Sequence, residues 1–418
     1  MIYIYRILIN IVLFFSPLII LVRLIKKKED IKRFWEKLSF FTKKRRTGKL
    51  IWFHGASVGE IQSVIPLIEK IEKNKKISQI LITSNTLSSS KIISKFSFKK
   101  ITHQFFPIDS NFISQRFLNY WKPNLSIFID SEIWPNTLSN LKKKNIPTIL
   151  INGRITKKTF QRWSLIKNFS KRIFANFNLC LASSNETKKY LKALGARKVR
   201  FVGNLKFSES ESEKNILSYE IKNFFKKKKI WCASSTHEGE EIFCGIIHNK
   251  LKKKYNNLLT IIIPRHINRT ESIREQLQKI GLKIHNHEPK KKIAKKTDIY
   301  LVNSYGKTKT FYSICKNVFI GGSMINHGGQ NPLEAVRLGC KIIYGPYVSN
   351  FKEIYSFLRS NGIAKKLSSS KEMEKSLEKQ FLRSKKSTKI QKKISLMGKN
   401  ILNLTLKEIN VSLKKNEI

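Results

Sequence analysis

Acidic residues are scarce. Asp and Glu together number 28 against 82 Lys and Arg, so the formal net charge is +54 at neutral pH. A field of that sign draws in anionic partners: nucleic acid, acidic lipid or a phosphorylated substrate. The signatures that would turn such charge towards nucleic acid are missing, because no basic-region helix, zinc finger or RNA-binding aromatic pattern accompanies it. The lysines come in short runs, for example at 226–229 and 290–292, at loop and helix ends where side chains are solvated. Nucleic acid is therefore an unlikely partner.

Cysteine is also sparse. Cys180, Cys232, Cys244, Cys315 and Cys340 form no CxxC pair, and most lie in apolar stretches. That excludes a zinc ribbon or a disulfide framework and fits free thiols in a reducing compartment. No GxxxxGK[ST] occurs, which disfavours a P-loop nucleotidase. No DxD cluster occurs either, so no metal is implied. There is no internal repeat and no long low-complexity tract.

Against these absences stand a long apolar run and a regular alternation. Residues 2–25 are almost wholly apolar, interrupted by Arg6, Asn10 and Arg23, and Lys26, Lys27 and Lys28 follow at once. No small-residue cleavage site follows, which argues against a signal peptide. The run is about long enough to span a bilayer, and the basic flank places the remainder on the cytoplasmic side. A helix lying in the interface, and a buried globular helix, are the alternatives.

After a Lys- and Arg-rich linker at 26–49, apolar runs of strand length alternate with helices. Strands are expected at 50–54, 77–84, 101–106, 124–130, 147–153, 178–184 and 200–203, with helices such as 111–121 and 157–175 between them. Residues 206–229 read as a linker plus a short helix. A second series of strands follows at 230–234, 258–264, 298–303, 317–321 and 341–344. The segment from Ser370 is charged and helical. Such alternation implies parallel sheets covered on both faces. The fold class is α/β, with two doubly wound domains expected to face one cleft.

The first series turns on the stretch 51–60, Ile-Trp-Phe-His-Gly-Ala-Ser-Val-Gly-Glu. A buried strand ends at His54, glycines make a tight turn, and Glu60 opens a helix. In open α/β sheets the crevice beyond the strand ends is where ligands bind. Two roles for Glu60 stay open on spacing alone. It can complement the helix dipole beside a capping Ser, or it can act as a general base on a bound hydroxyl. Asp130 ends another strand and begins Asp-Ser-Glu-Ile-Trp-Pro-Asn, where helix capping and a role beside Glu60 are both possible. Asn152-Gly153-Arg154 closes the next strand, and Lys206 lies in Gly-Asn-Leu-Lys-Phe near the domain boundary, where a solvated lysine is the default.

In the second series the strand ends converge. Residues 233–240, Ala-Ser-Ser-Thr-His-Glu-Gly-Glu, make a hydroxyl-rich turn whose backbone N–H groups can hold an anion. Pro264-Arg265-His266 offers an arginine suited to a phosphate. Gly321-Gly322-Ser323 has unusual backbone freedom, and Asn331-Pro332-Leu333-Glu334 opens a helix. Several such turns at the strand ends of one sheet point to a nucleotide phosphate site.

These stretches, in order, resemble the 3-deoxy-D-manno-octulosonic acid (Kdo) transferase family. The resemblance rests on residues 54–60, 107–109, 130–136, 152–154, 203–207, 234–241, 264–266, 321–323, 328–334 and 345–351, of which 54–60 and 235–241 are the most specific. It implies a GT-B fold, two Rossmann-like domains with an N-terminal membrane helix. The anchor would be 1–25, the acceptor domain 26–206, the donor domain 207–369, and a C-terminal helical segment 370–418. It implies Glu60 as proton acceptor, with Asp130 and Lys206 stabilising the transition state. It places Pro264, Arg265, Tyr305, Gly306, Lys307, Asn331, Pro332, Leu333 and Glu334 at the donor, CMP-Kdo. The implied acceptor is a lipid A precursor held at an anionic inner membrane, and no cofactor is implied beyond the donor substrate. Another GT-B enzyme with a different nucleotide sugar, or a basic nucleic-acid-binding membrane protein, are the rivals. This chain departs from the family pattern in carrying Asp130 in place of Glu, Lys307 in place of an acid, and Gln330 in place of His.

Overall fold

The computed structural model describes residues 1–94, 96, 98–208, 219–287, 293–382 and 388–414. The lysine run at 290–292 and much of the stretch read as a linker from 206 to 229 lie outside the described residues. The chain forms two compact units, Met1–Glu211 with Met397–Ile418, and Ser212–Leu396.

The first unit is built on seven parallel strands: β1 (Lys49–His54), β2 (Ile77–Ser84), β3 (Ile101–Phe105), β4 (Leu125–Ile129), β5 (Thr148–Gly153), β6 (Leu179–Ala182) and β7 (Val199–Phe201). Their spatial order is β3-β2-β1-β4-β5-β6-β7. The chain moves outward from β1 to β3, then returns to the other side of β1 with β4. That reversal opens a crevice between the carboxyl ends of β1 and β4. The central strands are buried along nearly their whole length, as a sheet covered on both faces requires. Trp52 is fully buried and packs its ring among Phe106, Phe117 and Phe128. Burying one large side chain of this kind contributes about 1.5–3 kcal/mol.

The second unit has β8 (Lys229–Thr236), β9 (Leu258–Pro264), β10 (Ile284–Asn286), β11 (Ile299–Leu301), β12 (Asn317–Ile320), β13 (Lys341–Tyr344) and β14 (Ala364–Lys366). These too are parallel, ordered β10-β11-β9-β8-β12-β13-β14. Here the reversal falls between β8 and β12.

Four details differ from the sequence reading. The edge strands β10 and β14 were not expected, because Ile-His-Asn and Ala-Lys-Lys carry no apolar run. A three-residue edge strand, paired on one side only, needs none. The helix expected over 157–175 divides into Lys157–Ser164 and Lys167–Phe174, with Ile166 outside helical geometry at φ −117° and ψ 49°. The break lets the second helix bury Phe169, Ile173 and Phe174, while the first only half-buries Phe160 and Trp163.

The stretch 26–49 is no loose linker. Glu29 is buried between Arg23 and Lys37, each 2.5 Å away. Glu36, fully buried, binds Arg33 through both oxygens at 2.9 Å and accepts the Phe105 N–H at 2.7 Å. Two acids hidden among lysines carry no periodic signal, so the sequence showed only charge.

The apolar N-terminus is likewise not one helix. It forms Ile2–Phe14 and Ser16–Ile25, bent by 50°. No single helix among the described residues is long and apolar enough to cross a membrane, although the bent pair passes that test together. Ile2 and Tyr5 pack on the first core, while Tyr3, Ile4, Ile7, Leu8, Ile11 and Val12 are exposed.

Candidate active site

The crevice between β1 and β4 gathers the acids. β1 and β4 pair directly, with His54 opposite Phe128, so the turns leaving both strands lie side by side. Ser57 caps the Val58–Glu72 helix, and Glu60 completes a capping box. The Glu60 carboxylate accepts the Ala56 N–H at 2.7 Å and the Ser57 hydroxyl at 2.9 Å. The capping role left open by the sequence is therefore real, and it does not exhaust the residue. Burial pushes the Glu60 carboxyl up to about 7, and the charges of Glu132 and Asp130 push the same way. The Ser57 hydroxyl and Ala56 N–H pull against them. A carboxyl poised near neutrality beside two others suits proton transfer.

Glu132 has a different environment. His54 Nε2 lies 3.1 Å and Trp134 Nε1 2.8 Å from its Oε2. Burial raises the Glu132 carboxyl, but the hydrogen bond and charge of His54 and the Trp134 N–H outweigh it and hold it below the ordinary value. On its other side Nδ1 lies 3.0 Å from the Thr83 hydroxyl, and Thr83 Oγ1 accepts the Trp52 N–H at 2.9 Å. The His54 ring stacks on Phe106, which fixes its plane. Two neighbouring carboxyls are thus driven apart, Glu60 upward and Glu132 downward, the pattern that separates acid and base roles.

Asp130 is buried and held at φ 62°, a backbone conformation L-residues seldom adopt. Asn152, at φ 52°, repeats this at the next strand end, and its Oδ1 accepts the Leu205 N–H at 2.9 Å. That bond ties the Leu205–Phe207 turn, which carries Lys206, to the end of β5. The same turn packs against the Val58–Glu72 helix.

In the second unit the reversal between β8 and β12 is closed by Glu240. This buried carboxylate accepts four backbone N–H groups: His237 at 3.0 Å, Gly322 at 2.7 Å, Ser323 at 3.1 Å and Met324 at 3.0 Å. It staples the turn after β12 to the helix after β8. Gly321 has to be glycine there, because a Cβ would stand 2.5 Å from the Ser235 carbonyl oxygen. The sequence marked the stretch but gave Glu240 no part; its only signal was an acid in a first helical turn.

Around that staple the cations collect. His237 has His327 and His266 beside it, with ring centroids 4.1 and 5.7 Å away. Burial pushes His237 down to about 4, and the charges of His327, His266, Arg265 and Arg269 push it further the same way. Gln330, where the family pattern has His, places Nε2 3.3 Å from His237 Nε2. Arg269 pairs with buried Glu241, leaving exposed Arg265, just after Pro264, facing outward. Glu334 accepts the Thr308 hydroxyl at 2.6 Å, which draws the turn Tyr305-Gly306-Lys307 to Asn331-Pro332-Leu333. Gly306 sits at φ 78°, where a side chain would be strained. The residues expected at the donor thus fall on the carboxyl edge of one sheet, although the helix after Pro332 spans only Leu333–Arg337.

Comparisons with known proteins agree with one another. The family model described as 3-deoxy-D-manno-octulosonic-acid transferase (kdotransferase) matches residues 32–209. The chain is 35% identical over 362 residues to the 3-deoxy-D-manno-octulosonic acid transferase of Rickettsia bellii, covering 86% of each chain. It is 30% identical to that of Haemophilus influenzae, covering 74% of this chain and 73% of the relative. Among solved structures, a UDP-GlcNAc 2-epimerase from Neisseria meningitidis superimposes with a TM-score of 0.55 at 15% identity, covering 88% of this chain and 100% of the epimerase. That likeness concerns the fold alone.

Proposed function

Because the chain belongs to the 3-deoxy-D-manno-octulosonic acid transferase family and is a glycosyltransferase, we propose that it moves Kdo from CMP-Kdo to a sugar hydroxyl of a lipid A precursor, with inversion, on a GT-B fold. The acceptor is bound by the first unit and the donor by the second. The observation that carries the reading is the pairing at the β1–β4 crevice of a carboxyl raised to about 7, Glu60, with neighbouring carboxylates.

In the reaction the acceptor oxygen bonds to the anomeric carbon as the bond from that carbon to the CMP phosphate breaks. CMP leaves with the electron pair, and the acceptor proton passes to Glu60. Arg265, the turn N–H groups and Lys206 offset the negative charge on the departing phosphate, while the Asp130 carboxylate stabilises the positive charge that develops at the anomeric carbon. Incubating the purified protein with CMP-Kdo and tetra-acylated lipid A precursor, followed by mass spectrometry, tests this directly. A product carrying Kdo is expected; no transfer with this pair would overturn the assignment. Competition by CMP but not UDP separates it from a glycosyltransferase using another nucleotide sugar.

Arg265→Ala is expected to weaken CMP binding by about 1–3 kcal/mol, the loss of a charge-assisted contact. Calorimetry checks it, and unchanged affinity in both Arg265→Ala and Glu334→Ala would remove them from the donor site.

The protein works at the cytoplasmic face of the inner membrane, where the exposed apolar side of the N-terminal helix pair enters the lipid and the positive field meets anionic headgroups. Ile7→Ser with Leu8→Ser is expected to lower association with anionic vesicles at least ten-fold, from the apolar area no longer buried. Flotation of the variant equal to wild type would discard this surface.

A further inference from the structure

We propose that Tyr5, Arg6 and Asp109 are positioning residues that fasten the membrane-facing helix to the loop carrying the acids, so that the lipid surface and the acceptor carboxylates keep one spacing. The proposal rests on the reading of that loop as the acceptor side.

The Tyr5 hydroxyl donates to Asp109 Oδ2 at 2.8 Å. The same carboxylate accepts the Asn136 N–H at 3.0 Å, the Thr137 N–H at 2.8 Å and the Thr137 hydroxyl at 2.5 Å. The first two are orphan donors of the Pro135–Lys143 helix, whose own N-cap residue, Trp134, supplies no side-chain cap. Asp109 therefore caps that helix from another segment, and Tyr5 shares the cap. Arg6 adds a second strap, reaching Asn136 Oδ1 at 3.1 Å and Asn111 Oδ1 at 3.3 Å. Asn136 returns a bond to the Asp109 carbonyl at 2.7 Å. Trp134, next to this junction, holds Glu132 and borders His54. The chain of contacts runs from lipid-facing helix to carboxylate without a gap.

A tether that only anchored the protein would need none of this. Tyr5 and Arg6 are half-buried and reach into the first unit, while Tyr3, Ile4, Ile7 and Leu8 on either side of them are exposed. The Ser16–Ile25 helix is fastened separately, through Arg23 to Glu29. Held at both ends, the pair is a part of the first unit rather than a detached span. The acceptor's lipid part lies in the bilayer, so its sugar hydroxyl reaches the acids only if that surface keeps a fixed height.

The test uses the full-length protein and its Tyr5→Phe and Arg6→Gln variants. Acceptor is supplied in anionic vesicles and, separately, dispersed in detergent micelles. Tyr5→Phe is expected to float with vesicles as wild type does and to keep KM and kcat on dispersed acceptor within about two-fold. On vesicle acceptor its KM should rise about ten-fold, the factor associated with losing one hydrogen bond to a charged group. Amide exchange at Asn136 and Thr137 should rise several-fold in the same variant. Equal changes on both acceptors, or none on either, would overturn the proposal. If wild type transfers Kdo and the exchange is unchanged, the clamp fails and the transferase reading stands. If wild type is inert and the exchange rises, the transferase reading fails and the mechanical link stands.

Discussion

Glu60→Gln is expected to lower the single-turnover rate on lipid acceptor by about 10²–10⁴-fold, the usual range for removing a general base. CMP affinity should not change, since the residues proposed to hold the donor belong to the other unit. The side-chain carbonyl of Gln can still accept the Ala56 N–H, so the capping box survives in part. Stability then distinguishes the base from a mere helix cap. The Glu60 carboxyl is raised from its ordinary value to about 7 in the folded protein. A raised folded-state value means that the native state binds this proton more tightly than the unfolded chain does. The resulting stability is present below about pH 4.5 and is lost as pH rises through 7. At pH 8 the wild type holds a carboxylate against burial and two neighbouring acids. Glu60→Gln removes that repulsion, and the variant should be as stable as wild type or more so, by on the order of 1 kcal/mol. A residue that only complemented the helix dipole would behave oppositely, losing roughly 0.3–1 kcal/mol while turnover survived. The wild-type rate should also rise with pH and level off above about 7, as the base deprotonates. Single-turnover rates from pH 5.5 to 8.5 and thermal melts at pH 5 and 8 decide it. A near wild-type rate in Glu60→Gln would move the base to Asp130 or Glu132.

Much of this arrangement could be read from the chain before its fold was known. The buried strands β2, β9 and β13 have the bounds their apolar runs gave. A parallel strand covered on both faces is uniformly apolar, and that is the plainest signal a sequence carries. The site stretches were legible for a related reason: a strand end followed by Gly, Ser or Asn and a helix start is a local pattern. What lay beyond reach was partnership. Nothing near Glu132 in the chain says that His54 holds it, nor that Thr83 meets the other His54 nitrogen from a third strand. Asp109 falls in a stretch that resembles the family, yet its helix lies 26 residues onward, counting from 109 to the helix start at 135. The acids in 26–49 were masked by composition, since a Glu among lysines reads as a surface charge whether or not it is buried. Contacts between distant segments decide such residues, and local patterning does not encode them.

Glu240 provides the largest expected effect on folding, and it comes from such a contact. Its two oxygens accept the N–H groups of His237, Gly322, Ser323 and Met324. No water reaches a carboxylate so enclosed, so its removal leaves those donors unpartnered at about 1–3 kcal/mol each. Glu240→Gln preserves the shape. Yet its amide nitrogen must face at least one N–H that the carboxylate oxygen accepted, setting donor against donor. A loss of at least about 3 kcal/mol is expected for Glu240→Gln, and more for Glu240→Ala, which adds a cavity. For a unit of this size that corresponds to a fall of roughly 6–12 °C in the melting temperature of the second unit. The turn after β12 would then part from the helix after β8, carrying Gly322 away from His237. CMP affinity should drop at least ten-fold even in the fraction that stays folded, because the cation cluster loses its frame. Glu238, two residues earlier and exposed, is the control; Glu238→Gln should stay within about 0.5 kcal/mol of wild type. Differential scanning calorimetry resolves the two transitions, and CMP titration below the first reports the site. Should Glu240→Gln melt with the wild type, the four N–H groups must have found other acceptors. The β8–β12 junction would then be held by the sheet pairing alone.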